Sequence, residues 1–75
     1  MNLFKVLEFK DSESSEKYAH PVKTENGYEW GSSSMPLLMT IDASIAKLRR
    51  LYIGLDFDIV KLVPKKLIDI DTVNT

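Results

Sequence analysis

The chain of 75 residues contains no cysteine, which excludes disulfide bridges, thiolate metal sites and cysteine nucleophiles. Because small secreted domains often depend on disulfides, the absence of cysteine favours a cytoplasmic location. Lys5 and Glu8 interrupt the apolar N-terminus MNLFKVLEFK, so we do not expect this segment to be a signal peptide. No apolar run approaches the roughly 20 residues of a membrane span, and we expect no membrane partner.

Groups that usually carry catalysis are equally scarce. His20 is the single histidine, and catalytic sites are built from several groups held together. Gly27, Gly31 and Gly54 do not form a phosphate-binding loop. We therefore expect a protein that is not an enzyme and that binds no cofactor.

Length and composition indicate one small globular domain over residues 1–75. A chain of this length can bury only one modest core. The hydrophobic fraction of 44% and the charged fraction of 28% are ordinary for a folded domain. The net charge of −1 predicts no large electrostatic field of one sign.

The stretch Thr40 to Ile53, TIDASIAKLRRLYI, has the most regular apolar pattern in the chain. Four large apolar residues recur at spacings of 4, 3 and 4, which places them on one side of a helix: Ile41, Ile45, Leu48 and Tyr52. Thr40 or Asp42 is the expected N-cap, and Gly54 supplies a left-handed residue after the helix. The pattern predicts one amphipathic helix over about residues 40–53, packed on one face of a sheet.

Two other stretches favour strands. Leu3–Phe9 is apolar at most positions, which indicates a strand with at least one buried face. From Leu55 to Ile59 apolar residues alternate with Asp56 and Asp58, which predicts a strand with both aspartates facing solvent. Beyond it, Pro64 marks either a hairpin turn or a bend in one long strand. A two-residue turn would oppose aspartates of the two arms, so we favour the bend or a different register.

Asn26-Gly27 is the clearest turn signal in the chain. A two-residue loop of Asn26 and Gly27 would leave Tyr28 and Trp30 on the charged face of a hairpin. A three-residue loop, with Gly27 left-handed in a bulge, pairs Thr24 with Tyr28 instead. This second register gathers the aromatic and apolar side chains of the hairpin on one face: Tyr18, His20, Val22, Thr24, Tyr28 and Trp30. Side-chain periodicity therefore favours the bulged turn.

The order of these elements predicts the fold class. Lys10–Lys17 is a polar loop, and Met35–Met39 suits a short strand or an extended entry to the helix. We expect an α+β fold with a small, mostly antiparallel sheet of roughly three to five strands and a single helix.

Two Asp-X-Asp pairs are the best candidate for a metal site: Asp56, Asp58, Asp69 and Asp71. On adjacent strands they would present carboxylate oxygens suited to Mg²⁺ or Ca²⁺. Alternation with apolar residues explains them more simply as the solvent face of half-buried strands, and the calcium-loop pattern is missing. We therefore predict no metal.

The favoured function is a non-enzymatic binding or regulatory protein that acts through protein–protein contact. Tyr28 and Trp30 on the hairpin present an aromatic surface of the kind that contact sites use. An exposed edge strand would also allow a homodimer. Size and composition are similar to those of accessory proteins from phages and mobile elements, which often act as inhibitors or adaptors.

The alternative is a weak nucleic-acid-binding module. It would use the basic helix face and the Lys61–Lys66 segment, with these residues as phosphate contacts: Lys47, Arg49, Arg50, Lys65 and Lys66. Aspartates in the same half of the chain reduce the net positive charge, so this interpretation ranks second.

Overall fold

A computed structural model describes residues 3–66 and shows four strands and one α-helix within them. In chain order these are β1 (Leu3–Phe9), β2 (Tyr18–Thr24), β3 (Gly27–Ser33), α1 (Ile45–Leu51), a 3₁₀ helix (Phe57–Ile59) and β4 (Val60–Lys66). The strands form one antiparallel sheet in the order β3-β2-β1-β4. The predicted α+β fold class is confirmed, and β1 has the predicted bounds.

The sheet consists of two strand pairs that meet at one point. β1 pairs with β4 along its whole length, from Leu3 opposite Lys66 to Phe9 opposite Val60. It pairs with β2 only at Glu8, and farther along the same edge the Lys5 backbone binds Met39 through N···O distances of 3.0 and 2.9 Å. The β2–β3 hairpin therefore diverges from β1, and the extended segment predicted at Met35–Met39 enters the opening.

The core lies between these strand pairs and α1. Its buried members come from every layer of the fold: Leu7, Ala19, Leu48, Phe57 and Val60. Seven partly buried side chains pack against them, among them Trp30, Ile45 and Tyr52. Burial of one such large apolar side chain stabilises the folded state by about 1.5–3 kcal/mol, so α1 is held mainly by Leu48 and its neighbours.

The helix is shorter than predicted. α1 begins at Ile45, and Ser44, not Thr40 or Asp42, is the N-cap: its hydroxyl accepts from the Lys47 backbone N–H at 3.2 Å. The preceding residues are held in another conformation because Lys5 donates its Nζ to the Ala43 carbonyl at 2.8 Å. Tertiary hydrogen bonds therefore override the helical period before Ser44.

The hairpin register differs from both predicted alternatives. Thr24 lies opposite Gly27, so Glu25 and Asn26 form the two-residue loop, and Gly27 has a φ of 132°. Consequently Trp30 lies opposite Pro21 and shares its face with Ala19, not with Tyr18, His20 and Val22. The buried Ala19 leaves room on the core face for the large Trp30 ring, and this packing decides the register.

The predicted strand over Leu55–Ile59 is wrong. Residues Phe57–Ile59 form a 3₁₀ helix because the Asp56 carboxylate accepts from the Asp58 backbone N–H at 2.9 Å and caps the turn. Phe57 is buried, whereas Ile59 is largely exposed. Alternation of apolar and acidic residues is therefore compatible with a second structure, and here it forms a capped single turn of 3₁₀ helix.

Pro64 lies inside one continuous strand, so the hairpin turn at this residue, the alternative that was not favoured, is wrong. β4 passes through Pro64, which lies opposite Lys5. The backbone N–H and C=O of Lys5 both bind Met39, so Lys5 and Pro64 exchange no hydrogen bond. The Pro64 nitrogen therefore faces away from β1, and the β1–β4 ladder does not require an N–H at this position. Leu67–Asp71, the second predicted alternation, lies outside the described residues.

Candidate functional site

An apolar groove runs between residues 37–43 and α1. Its volume is about 360 Å³. Seven of its lining residues are apolar or aromatic: Leu37, Leu38, Met39, Ala43, Leu48, Leu51 and Tyr52. We call this feature the α1 groove. It exists because Lys5 holds both Met39 and Ala43 while Leu48 anchors the helix in the core, which leaves a cleft between them.

Exposed large apolar side chains line the α1 groove or lie next to its lining residues in the sequence. Leu51 is 65% exposed and Ile53 is 76% exposed, although neither is polar. Leu38 lines the opposite wall of the groove, and Ile41 lies between the lining residues Thr40 and Asp42 in the sequence. Both are also exposed. Exposed apolar residues scattered singly are ordinary, but a cluster beside a cleft is typical of a contact surface.

The polar rim of the α1 groove is organised around Asp42. Thr40 donates its hydroxyl to Asp42, and Lys47 Nζ lies 3.4 Å from Asp42 Oδ2. The hydrogen bond from Thr40, followed by the positive charge of Lys47, lowers the pKa of the Asp42 carboxyl below its ordinary value. Arg50 adds a positive charge beside Lys47 and Leu51, and within residues 3–66 no carboxylate pairs with it.

The two aromatic residues predicted to bind a partner have different environments. Trp30 packs edge-on against Phe57 with ring centroids 5.0 Å apart, and its Nε1 donates to the Asp56 carbonyl at 2.9 Å. Tyr28 packs edge-on against Tyr52 at 5.1 Å. Trp30 therefore completes the core, while Tyr28 lies against a residue that lines the α1 groove.

The predicted basic residues are divided between α1 and β4, and Lys47, Arg49 and Lys65 face carboxylates. Lys47 pairs with Asp42, and Arg49 NH2 lies 3.2 Å from Asp58. Lys65 Nζ lies 3.6 Å from Glu8 Oε2, and Lys66 is exposed at the end of β4. These pairs neutralise part of the charge that a nucleic-acid surface would present to phosphate.

Glu8 is a buried carboxylate that the sequence analysis did not single out. Its side chain is 9% exposed, and Oε2 has no hydrogen-bond partner. Lys61, opposite Glu8 on β4, and Lys65 are its ion-pair partners. A single acid in the apolar run Leu3–Phe9, with two lysines four residues apart on another strand, was the signal that could have revealed it.

Asp56 and Asp58, one of the two predicted aspartate pairs, serve the local fold. Asp56 caps the 3₁₀ helix and Asp58 pairs with Arg49. Asp69 and Asp71 lie outside the described residues. Within residues 3–66 no group of three or more histidine or acidic side chains is placed to hold a metal ion. In the same part of the chain, no helix has the length and apolarity that crossing a bilayer requires.

The predicted apolar side of the helix includes two of the residues that line the α1 groove, Leu48 and Tyr52. That periodicity does not predict the groove itself. The sequence signal for the groove is the number of apolar residues: the stretch from Leu37 to Ile53 contains more large apolar side chains than one face of a two-turn helix can bury.

Comparison with known proteins adds no further constraint on this site, because no protein-family model, curated protein or solved structure matches the chain.

Proposed function

We propose that this protein is a non-enzymatic binding module that holds a protein partner in the α1 groove. The observation that carries this proposal is the apolar cleft that α1 forms with residues 37–43, with the exposed Leu51 in its lining and the exposed Ile53 two residues farther along the chain. Covering such side chains removes about 25 cal/mol of unfavourable hydration for each Å² of apolar surface buried. A partner that fills the cleft would gain most of its affinity there.

The charges at the rim favour a partner of particular chemistry. Lys47 lines the helix side of the α1 groove and shares its charge with Asp42, and Arg50 lies next to the groove, beside Lys47 and Leu51. Arg50 therefore provides the main positive charge for a ligand. The best fit is an amphipathic segment whose apolar residues enter the groove and whose acidic residue meets Arg50. In this role the protein would act in the cytoplasm as an adaptor or inhibitor of the accessory, phage-like type.

A site-specific photocrosslinking experiment tests the proposal. A photoreactive amino acid is placed at Leu51 in one variant and at Leu3, which is exposed on β1, in another. Each protein is irradiated in lysate with and without prior nuclease treatment, at low and raised salt. We expect a discrete protein adduct from position 51, absent from position 3.

A matched pair of variants checks that the adduct depends on the groove. Leu51→Ser with Ile53→Ser removes the exposed apolar side chains at the groove, whereas Ile59→Ser removes an exposed apolar side chain at the 3₁₀ helix. Each variant is added in excess, without a photoreactive residue, as a competitor of the protein that carries the photoreactive residue at position 51. The Ile59→Ser protein should suppress the adduct, and the double variant should not. Equal adducts at both positions, or an adduct lost on nuclease treatment, would contradict the proposal; the latter would favour the nucleic-acid alternative.

A further inference from the structure

The two edges of the sheet are protected very differently. β4 forms one edge, where Pro64 removes a donor from the row that faces away from β1. Three lysines add charge to this strand: Lys61, Lys65 and Lys66. Proline and lysine on an edge strand are devices that prevent pairing with another chain.

β3 forms the other edge and lacks these devices. Its seven residues, GYEWGSS, contain no proline or lysine, and Glu29 is their only charged member. Thr24 and Gly27 flank a two-residue loop and so exchange hydrogen bonds with each other. By alternation, the backbone N–H and C=O groups that face away from β2 belong to Tyr28, Trp30 and Ser32. Within residues 3–66 no strand pairs with this row.

We propose that β3 pairs in antiparallel fashion with β3 of a second copy of this chain, with Trp30 on the twofold axis. In this register Tyr28 lies opposite Ser32 of the partner subunit, and Trp30 lies opposite itself. The three outward-facing residues of each copy then form a closed hydrogen-bonded ladder. The two sheets join into one of eight strands, twice the four in each copy.

Charge favours this register over the one centred on Glu29. A ladder centred on Glu29 would place two carboxylates directly opposite each other, which is destabilising. Centring on Trp30 instead places Glu29 opposite Gly31 of the partner subunit, which carries no side chain. The large Tyr28 side chain meets the small Ser32 across the axis. This self-complementarity favours a second copy over an unrelated strand as the occupant of the edge.

The experiment measures mass by analytical ultracentrifugation over a wide concentration series for three proteins. Ser32→Pro removes an outward-facing N–H, since Ser32 lies opposite Ala19 in a pair that exchanges no hydrogen bond. Ser32→Ala removes the same hydroxyl and keeps the N–H. We expect the native protein and Ser32→Ala to double in mass from 8.6 kDa as concentration rises, and Ser32→Pro to stay monomeric. A native protein that is monomeric throughout, or a Ser32→Pro protein that still dimerises, would overturn the proposal.

Hydrogen exchange on the native protein keeps the test decisive if Ser32→Pro does not fold. The amides of Tyr28, Trp30 and Ser32 should exchange more slowly at dimeric than at monomeric concentration. The amide of Glu29, which faces β2, should not change. Dimerisation that leaves the three outward-facing amides unprotected would place the interface elsewhere and refute the proposal.

Discussion

Glu8 on β1 and Lys65 on β4 form an ion pair at 3.6 Å although the Glu8 side chain is only 9% exposed. The more exposed Lys61 contacts the same carboxylate at 3.9 Å. A carboxylate removed from water is costly unless it is paired, so these lysines determine whether Glu8 can be accommodated between the strands.

Replacing Lys65 by Met should lower the free energy of unfolding by about 1–3 kcal/mol, because Glu8 Oε2 then loses its nearest positive charge. The measurement is urea unfolding monitored by Trp30 fluorescence. Lys61→Met is the matched control, and its effect should stay below about 1 kcal/mol because that lysine is half exposed. Glu8→Gln combined with Lys65→Met should recover part of the loss. Equal effects of the two lysine variants would show that burial does not govern the pair.

Variants at Ser44 and Thr40 test at which residue the helix begins. Ser44→Ala should lower the free energy of unfolding by about 1 kcal/mol, because the hydroxyl that accepts from Lys47 N–H is lost. Thr40→Ala should leave the helical circular dichroism signal unchanged, since Thr40 lies outside α1. If Thr40→Ala weakened the helical signal more than Ser44→Ala, the longer helix predicted from the apolar period would be favoured.

The titration of Asp42 reports on the rim of the α1 groove. NMR should give Asp42 a pKa below its ordinary value of 3.8, and Thr40→Val should raise it because the largest cause is the Thr40 hydrogen bond. A lowered pKa in the folded state means that Asp42 stabilises the fold above pH 3.8 and loses this contribution as the pH falls through the lowered value. A stability profile that Asp42→Asn leaves unchanged below pH 4 would show that the contribution is negligible.

Local patterns predicted the elements well where one physical requirement dominated. The apolar run Leu3–Phe9 had to be a strand, and it is the central β1. The helix was located but overextended, because periodicity does not report that Lys5 holds Met39 and Ala43 through tertiary hydrogen bonds. Leu48 and Tyr52 nevertheless face the core as the period requires.

The hairpin shows why register and site were harder to predict. Its turn signal was correct to within one residue, yet a shift of one residue moves every side chain to the other face. Only the core could decide, by packing Trp30 against Phe9 and Phe57 from distant parts of the chain. The α1 groove has the same origin, since its two walls, residues 37–43 and α1, are positioned by the tertiary hydrogen bonds of Lys5.

The pairing of β1 with β4 also dictates how the chain can fold. Phe9 meets Val60, and Leu3 meets Lys66, so this ladder closes a loop that encloses all the other described elements. Closing so long a loop costs entropy before any contact repays it, and folding rates fall as contacts become less local. During synthesis the largely apolar β1 must wait for its full-length partner until β4 has left the ribosome. The β2–β3 hairpin, closed by two residues, can form meanwhile and offer Ala19 and Trp30 as the first surface of the core.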